Sequence, residues 1–219
     1  MPALRVMLVD DHAVVRMGFR MLLEDTDDLV VVAEAERGED VGRLYDLHSP
    51  DVVVMDLSMP GAGGLEAIGR LRARQPRAIV LVLSAHEDPV HVRQAVAAGA
   101  SGYLSKRSAP EELIAAIRQV GSGRPYFDAT IAQQLAIAQV TGQGNPVDSL
   151  SRREFEVFIR LARGHAVAEI AADLNLSPST VGTHMYHIKQ KLGTSNSAEI
   201  AMLAVRSGLI EVAGGGSSR

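Results

Sequence analysis

Four consecutive apolar residues, Val52–Met55, run directly into the carboxylate of Asp56. A short apolar run rich in β-branched residues indicates a strand that is buried on both faces, as in a parallel sheet covered by helices. The carboxyl ends of such strands form the edge at which open α/β sheets bind ligands. Asp56 therefore either belongs to a site or only caps the following turn, and this stretch alone does not decide between the two.

Similar apolar runs recur along the first 120 or so residues, and amphipathic helical spacing follows each of them. The five runs are Leu4–Val9, Val30–Ala33, Val52–Met55, Ile79–Leu83 and Tyr103–Leu104. Strands and helices that alternate at this spacing predict a doubly wound α/β fold with a parallel sheet. Right-handed crossovers leave few topologies, and we expect the flavodoxin-like strand order 2-1-3-4-5 for the five strands.

The sequence changes character after about residue 122. One more helical pattern covers about 128–140, and the polar stretch Thr141–Pro146 cannot continue it. Apolar residues then recur only at helical spacing, which predicts four short helices in about 60 residues. We expect an α/β domain at 1–122, a linker with a helix at 123–147, a small all-α domain at 148–212 and a disordered tail at 213–219.

Composition excludes several kinds of site. The chain has no cysteine, which rules out disulfides, thiolate zinc sites and cysteine nucleophiles. Its net charge of −4 is uneven, because residues 1–140 carry −5 and residues 141–219 carry +1. The asymmetry favours two domains with different partners, although +1 is weak evidence for nucleic-acid binding. We find no signal peptide and no run of the ~20 apolar residues that span a bilayer, so we expect a cytoplasmic protein without a membrane partner.

Polar side chains follow four of the predicted strands at one edge of the sheet. In the expected order the first, third and fourth strands are neighbours, so Asp11, Asp56 and Ser84 converge. Neighbouring carboxylates repel one another, and Mg²⁺ is the cation that suits a few protein oxygens and several waters. Asp56 can then attack phosphorus, with Mg²⁺ and Lys106 neutralising charge. Taken singly, each of these residues is more often a cap, a turn residue or a solvated lysine.

Residues 1 to about 122 resemble the receiver domain of two-component response regulators. The motifs that carry the resemblance are Asp10-Asp11, Asp56–Gly61, Ser84-Ala85 and Gly102–Lys106. The resemblance implies that Asp56 accepts a phosphoryl group from a sensor histidine kinase. It also implies a Mg²⁺ site formed by Asp10, Asp11, Asp56 and the backbone carbonyl of Ser58.

The resemblance further implies a switch around the phosphoryl group. Ser84 would hydrogen-bond a phosphoryl oxygen, Lys106 would pair with it, and Tyr103 would change rotamer as Ser84 moves. The alternative for Tyr103 is an ordinary edge aromatic. The family often has a cis proline after the lysine, where this chain has Arg107, and a cis bond there would cost roughly 3 kcal/mol.

Two residues and two motifs of the first domain have other interpretations. Ser58 and His86 would flank the path of an attacking water, or His86 is simply exposed.

An aspartyl-phosphate phosphatase needs a second Asp two residues after the nucleophile, where Ser58 stands here. Gly61–Gly64 does not continue into a dinucleotide-binding fingerprint, because Glu66 occupies the last glycine position. We therefore expect no nucleotide cofactor.

The helical patterns at about 167–174 and 178–192 are joined by a tight polar turn. Ser177 is a suitable N-cap, and Pro178 suits the first helical position. A short helix, a tight turn and a longer helix predict a helix-turn-helix, with an ordinary helical bundle as the alternative. One face of the longer helix carries the groups that suit a major groove, namely Ser179, Gly182, Thr183, Tyr186, Lys189 and Gln190. Basic residues that either contact DNA phosphates or form a solvated surface are Arg152, Arg153, Lys189 and Lys191.

Residues about 148–210 resemble the helix-turn-helix of the LuxR/NarL/FixJ regulators, and the stretch Lys189–Asn196 is similar to GacA/UvrY-type members. The motifs are Leu150–Glu154, Glu169–Ala171, Leu176-Ser177, Thr180-Val181, His184, Lys191–Gly193 and Gly208–Ile210. The base-reading positions implied by the resemblance are Gly182, Thr183 and Tyr186, and the backbone-contacting ones are Thr180 and Lys191. The family's basic residues are missing at Ala168, Gly182 and Ser197, so we expect weak non-specific DNA affinity.

Together these features predict a transcription regulator controlled by phosphorylation. Phosphorylated Asp56 would shift the receiver between two states and promote a homodimer that binds double-stranded promoter DNA with matching symmetry. The alternative is a protein-interaction module whose DNA binding is weakened.

Overall fold

The computed structural model describes residues 2–61, 63–140 and 145–210. The chain divides into two compact units, 1–143 and 144–219. Most of the polar stretch of the linker and the whole of the predicted tail at 213–219 lie outside the described residues. Across the described segments, every helix is too short or too polar to cross a membrane.

The first unit is built on a parallel sheet. Its strands are β1 (Leu4–Val9), β2 (Leu29–Ala35), β3 (Val52–Met55), β4 (Val80–Ser84), β5 (Gly102–Ser105) and β6 (Tyr126–Phe127). Their order is β2-β1-β3-β4-β5-β6, and every pairing is parallel. The predicted doubly wound fold and the order of its first five strands are confirmed.

Helices cover both faces of this sheet. They are α1 (Ala13–Glu24), α2 (Val41–His48), α3 (Gly63–Arg74), α4 (Pro89–Ala98), α5 (Pro110–Gly121) and α6 (Ala129–Val140). Alternate residues of β1 and β3, such as Leu8 and Val54, form one core with Leu23 of α1 and with Leu113 and Ile117 of α5. The intervening strand residues are equally buried on the opposite face, which explains why β3 is continuously apolar.

The sixth strand is absent from the sequence prediction. It consists of Tyr126 and Phe127, which pair with Gly102 and Tyr103 at the edge of β5. Two residues are too few to show the alternation typical of a strand, so the sequence does not predict this one. Gly102 allows the approach, because a Cβ there would lie 2.7 Å from the Tyr126 carbonyl oxygen.

The second unit contains the four predicted helices. They are α7 (Arg152–Ala162), α8 (Val167–Asp173), α9 (Pro178–Leu192) and α10 (Ser197–Arg206), preceded by a 3-10 turn at Pro146–Ser149. Its fully buried core includes Phe155, Phe158, Ile170, Val181, Ile188 and Ile200. Met185 and Leu192, which share the helical spacing of Val181 and Ile188, are only half-buried.

Candidate functional site

The carboxyl ends of β1 and β3 bring three carboxylates together. Val9 pairs with Met55, so Asp10 and Asp56 are the next residues along two neighbouring strands. Oxygens of Asp10, Asp11 and Asp56 and a ring nitrogen of His12 all lie within 4.8 Å of one another. We call this group the carboxylate pocket.

Lys106, directly after β5, reaches two of these carboxylates. Its Nζ donates to Asp10 Oδ2 at 2.6 Å and to Asp56 Oδ2 at 2.9 Å. Burial disfavours the ammonium, but the hydrogen bonds to Asp10 and Asp56 outweigh burial and raise the pKa of Lys106. The pocket therefore contains a fixed positive charge beside Asp56.

Asp56 is nearly enclosed, with 3% of its surface exposed. Burial raises the pKa of its carboxyl group, and the hydrogen bonds from Lys106 and from the backbone N–H of Ser58 oppose that shift only in part. The Ser58 N–H lies 3.1 Å from Asp56 Oδ1. Because the ionised form is costly in this environment, further positive charge in the pocket would stabilise it.

The donor atoms fit a hard divalent cation. Asp11 Oδ1 is shielded from solvent and accepts no hydrogen bond from the residues that the structure describes, although His12 Nδ1 lies 3.0 Å away. A buried oxygen without a donor costs free energy unless a cation faces it. Carboxylate oxygens are the ligands that Mg²⁺ prefers. His12 was not among the predicted site residues, and its only signal in the sequence is its position next to Asp11.

Ser84 and Tyr103 meet at the loop that follows β4. The Ser84 hydroxyl accepts a hydrogen bond from the His86 backbone N–H at 3.1 Å. The Tyr103 hydroxyl donates to the His86 carbonyl oxygen at 2.6 Å. Tyr103 is fully buried, so it is not the edge aromatic of the alternative interpretation. Burial raises the pKa of its hydroxyl, which keeps it a donor.

The peptide bond between Lys106 and Arg107 is trans, as are all others among the described residues. The Lys106 backbone N–H donates to the Ser84 carbonyl oxygen at 2.8 Å. Arg107 points its side chain outward, with 80% of it exposed and Nη1 at 4.0 Å from Glu87 Oε2. Lys106 thus reaches the pocket without a cis bond after it.

In the second unit, the turn between α8 and α9 is held as a helix-turn-helix requires. Ser177 Oγ accepts the Thr180 N–H at 3.1 Å, with Pro178 in the first helical position, as predicted. Asn175 adopts a left-handed backbone conformation with φ of 53°. The Leu176 N–H donates to the Ala171 carbonyl oxygen at 2.8 Å.

The predicted DNA-facing residues of α9 differ in how far they are exposed. Ser179, Gly182, Thr183 and Tyr186 are exposed, whereas Thr180 and Lys189 are half-buried. Tyr186 is the most prominent, with 62% of its surface exposed. An aromatic and several small polar groups on one helix face form a surface that suits base edges.

Two of the predicted phosphate-binding cations are engaged within the domain. Lys191 Nζ donates to Glu154 Oε2 at 2.6 Å. Arg153 donates to Glu156 Oε2 and to the Leu174 carbonyl oxygen, each at 2.7 Å, and its side chain is only 16% exposed. The structure thus engages the Arg153 guanidinium within the domain, and its contact with phosphates stays a prediction. Burial opposes the ionisation of Glu154, but Lys191 and Ser151 outweigh it and lower the pKa of Glu154.

Comparison with protein families gives one match in each unit. The response regulator receiver domain matches residues 6–118, and the bacterial regulatory proteins of the luxR family match residues 148–204. Response regulator GacA of Pseudomonas aeruginosa is 42% identical over 212 residues, which cover 96% of this chain and 99% of GacA. Response regulator UvrY of Escherichia coli K12 is 41% identical over 208 residues, covering 94% and 95%.

Comparison with solved structures also finds response regulators. RcsB of Salmonella enterica serovar Typhimurium, bound to promoter rprA in the presence of the phosphomimetic BeF3⁻, superposes with a TM-score of 0.69 at 26% identity. That alignment covers 92% of this chain and 98% of the RcsB chain. A LuxR-family response regulator from Aurantimonas sp. SI85-9A1 is 43% identical with a TM-score of 0.61, covering 63% of this chain and 99% of the other.

Proposed function

Because this chain belongs to the response regulators, with a receiver domain followed by a LuxR-type DNA-binding domain, we propose that it is switched by phosphorylation of Asp56. A sensor histidine kinase is the phosphodonor in this proposal. Phosphorylation controls homodimerisation and the binding of α8 and α9 to promoter DNA. The observation that carries the proposal is the Lys106–Asp56 contact of 2.9 Å inside the carboxylate pocket.

Asp56 supplies the nucleophile for phosphoryl transfer. One of its carboxylate oxygens attacks the phosphorus of a phosphohistidine, the new P–O bond replaces the P–N bond, and the imidazole leaves. Lys106 stabilises charge on the transferred group, in a pocket that is already organised. Asp10, Asp11, Asp56 and the Ser58 carbonyl would hold Mg²⁺, which when bound neutralises charge on the phosphoryl oxygens. The acyl phosphate is then lost slowly to water, and no product other than phosphate is released.

Ser84 and Tyr103 connect the pocket to the surface formed by α4, β5 and α5. Ser84 Oγ holds the His86 N–H, and the His86 carbonyl holds the Tyr103 hydroxyl. If Ser84 turns towards a phosphoryl group on Asp56, the His86 N–H loses its acceptor and the loop shifts. Tyr103 then loses the carbonyl that fixes its rotamer, which supports its role as the link to that surface.

Sequence recognition is assigned to the exposed face of α9. Tyr186 and Thr183 are the groups best placed to contact base edges, because both are exposed. The Thr183 hydroxyl donates to the Ser179 carbonyl oxygen at 3.2 Å, which leaves its own oxygen as an acceptor. The RcsB structures include two dimers bound to two parallel DNAs, which supports a dimer on an operator with two half-sites for this chain.

The decisive experiment is labelling of Asp56. Incubation of the Asp56→Asn variant with acetyl phosphate and Mg²⁺ should give no covalent phosphate, measured by intact-mass spectrometry. The matched control is Asp51→Asn, which changes the exposed aspartate before the other end of β3 and should label like the wild type. Labelling that survives in the Asp56 variant, or is lost in the control alone, would place the acceptor elsewhere.

One observation favours a second candidate, a protein-interaction module with weakened DNA binding. The engagement of Arg153 with Glu156 and of Lys191 with Glu154 removes cations from a unit with few of them. Footprinting of phosphorylated protein across genomic DNA at physiological salt separates the two candidates. Protected inverted repeats support the transcription regulator, and a complete lack of protection supports the interaction module.

A further inference from the structure

A second group of metal-ligating side chains lies between β4 and α4, outside the carboxylate pocket. His86, Asp88 and His91 each bring one ligand atom within 4.8 Å of the others. The imidazole rings of His86 and His91 stack in parallel, with centroids 4.3 Å apart. His91 Nδ1 lies 2.6 Å from Asp88 Oδ2. None of the pocket chemistry described above uses Asp88 or His91.

We propose that His86, Asp88 and His91 form a binding site for a borderline transition-metal ion such as Zn²⁺. Two imidazole nitrogens and one carboxylate oxygen are a ligand set that zinc takes, with water in the fourth position. Imidazole is also the side chain that most often binds such metals. The carboxylate pocket offers mainly oxygen and suits Mg²⁺ instead, so the two sites select different ions.

Occupation requires one side chain to turn. A metal ion lies in the plane of each imidazole that binds it, and two stacked parallel rings do not share such a position. Ligand atoms at ~2.1 Å from a tetrahedral zinc ion are roughly 3.4 Å apart, closer than the 4.8 Å limit found here. The side chain that turns is that of His86, which is half-exposed in the loop. His91 stays in place, because it is only 5% exposed and is held in the first turn of α4.

Asp88 already organises one half of this site. Its Oδ1 accepts the His91 backbone N–H at 3.0 Å, and its Oδ2 contacts the His91 ring. These two contacts fix the carboxylate beside the imidazole, so two of the three ligand groups are already adjacent.

A bound ion would tie the loop to α4. His86 is the residue that holds both Ser84 and Tyr103 through its backbone. Zinc would therefore restrain the segment through which the phosphorylation signal passes. This consequence rests on the proposed function, whereas zinc binding does not, so the test uses unphosphorylated protein.

The test is a calorimetric titration of the untagged full chain with Zn²⁺ in excess Mg²⁺, which keeps the carboxylate pocket saturated. We expect one equivalent of zinc to bind the wild type. His86→Gln and His91→Gln should each weaken binding at least about tenfold. The matched control is His12→Gln, which removes the only imidazole of the carboxylate pocket and should leave the affinity unchanged.

His86→Gln is the deciding variant, because its side chain is partly exposed and circular dichroism verifies that it stays folded. Wild-type affinity in His86→Gln overturns the proposal. So does loss of binding in His12→Gln alone, which would assign the zinc to the carboxylate pocket, and so does a wild type that binds no zinc at micromolar concentration. Wild-type labelling of Asp56 in His91→Gln, a residue outside the carboxylate pocket, would show that a failed zinc site leaves the proposed function intact.

Discussion

The carboxylate pocket and the exposed face of α9 are built in opposite ways. In the pocket, side chains from the ends of β1, β3 and β5 already contact one another, as Lys106 does with Asp10 and Asp56. On α9, Tyr186 stands out from the surface with 62% of it exposed. The sheet organises the first site before any ligand arrives, whereas the second is completed only by a partner. Substitutions in the two regions should therefore fail in different ways.

The largest effect is expected at Gly64, in the first turn of α3. A Cβ there would collide with the backbone carbonyl oxygen of Asp56. Gly64→Ala must push α3 away from the end of β3, at a cost of about 1–3 kcal/mol in the free energy of unfolding. Because a displacement of about 1 Å can cost a hundredfold in rate, labelling of Asp56 by acetyl phosphate should fall by up to ~100-fold.

The matched control is Gly18→Ala in α1, where a Cβ would meet no heavy atom within 4 Å. It should raise stability by about 0.5–1 kcal/mol, because alanine favours helix, and leave labelling unchanged. Chemical unfolding and the labelling rate measure both variants. Normal labelling of Gly64→Ala would show that the pocket tolerates a displacement of α3 and is not rigidly organised by the sheet.

The sequence predicts the pocket better than the α9 face for a physical reason. Strand order alone brings Asp10 and Asp56 to neighbouring strand ends, and that order follows from the alternation of apolar runs and helices together with right-handed crossovers. The ion pairs of Arg153 and Lys191 depend on how α7, α8 and α9 pack, which periodicity does not specify. β6 is missed for the same reason, since its two residues are a strand only because β5 is beside them.

The next largest effect is expected at Tyr186. Tyr186→Ala should weaken binding to a specific operator about tenfold or more, since one good base contact is worth ~1–3 kcal/mol. The dependence of the affinity on salt should not change, because the side chain carries no charge. Fluorescence anisotropy at several salt concentrations measures both quantities.

Met202→Ala on α10 is the control for Tyr186, because Met202 has a nearly equal exposed fraction of 61%. It should bind DNA like the wild type. Equal loss in both variants would mean that α9 is not the recognition helix. A loss restricted to Tyr186 with an altered salt dependence would point to a rearranged phosphate contact.

A smaller effect with a clear pH dependence is expected for Glu154→Gln. The folded domain lowers the pKa of Glu154 through Lys191 and Ser151. A carboxyl group with a lowered folded pKa contributes stability above its unfolded pKa of about 4.3, and that stability is lost as the pH falls through the folded value. Glu154→Gln should therefore cost about 1 kcal/mol at pH 7 and progressively less below pH ~4.

Urea unfolding between neutral and acidic pH measures this difference. Glu169→Gln is the control, because Glu169 caps α8 from an exposed position, where its Oε2 accepts the Ala166 N–H at 2.7 Å. The cost of Glu169→Gln at pH 7 should be smaller, because this side chain accepts from a backbone N–H rather than from a lysine. A pH-independent cost for Glu154→Gln would show that the side chain acts by packing rather than by charge.

The smallest effect, and the one that sets the two regions apart most clearly, is expected at Gly182 in α9. A Cβ at this position would meet nothing within 4 Å, so the close backbone contact that requires glycine at position 64 has no counterpart here. Gly182→Ala should raise the stability of the domain by about 0.5–1 kcal/mol, because glycine is a poor helix former. If DNA approaches the backbone at this point, the same variant should bind the operator several-fold more weakly despite its greater stability. Unfolding and binding measured on one preparation give the two signs together. A variant that is more stable and binds normally would show that glycine at 182 serves neither the fold nor the close approach to DNA.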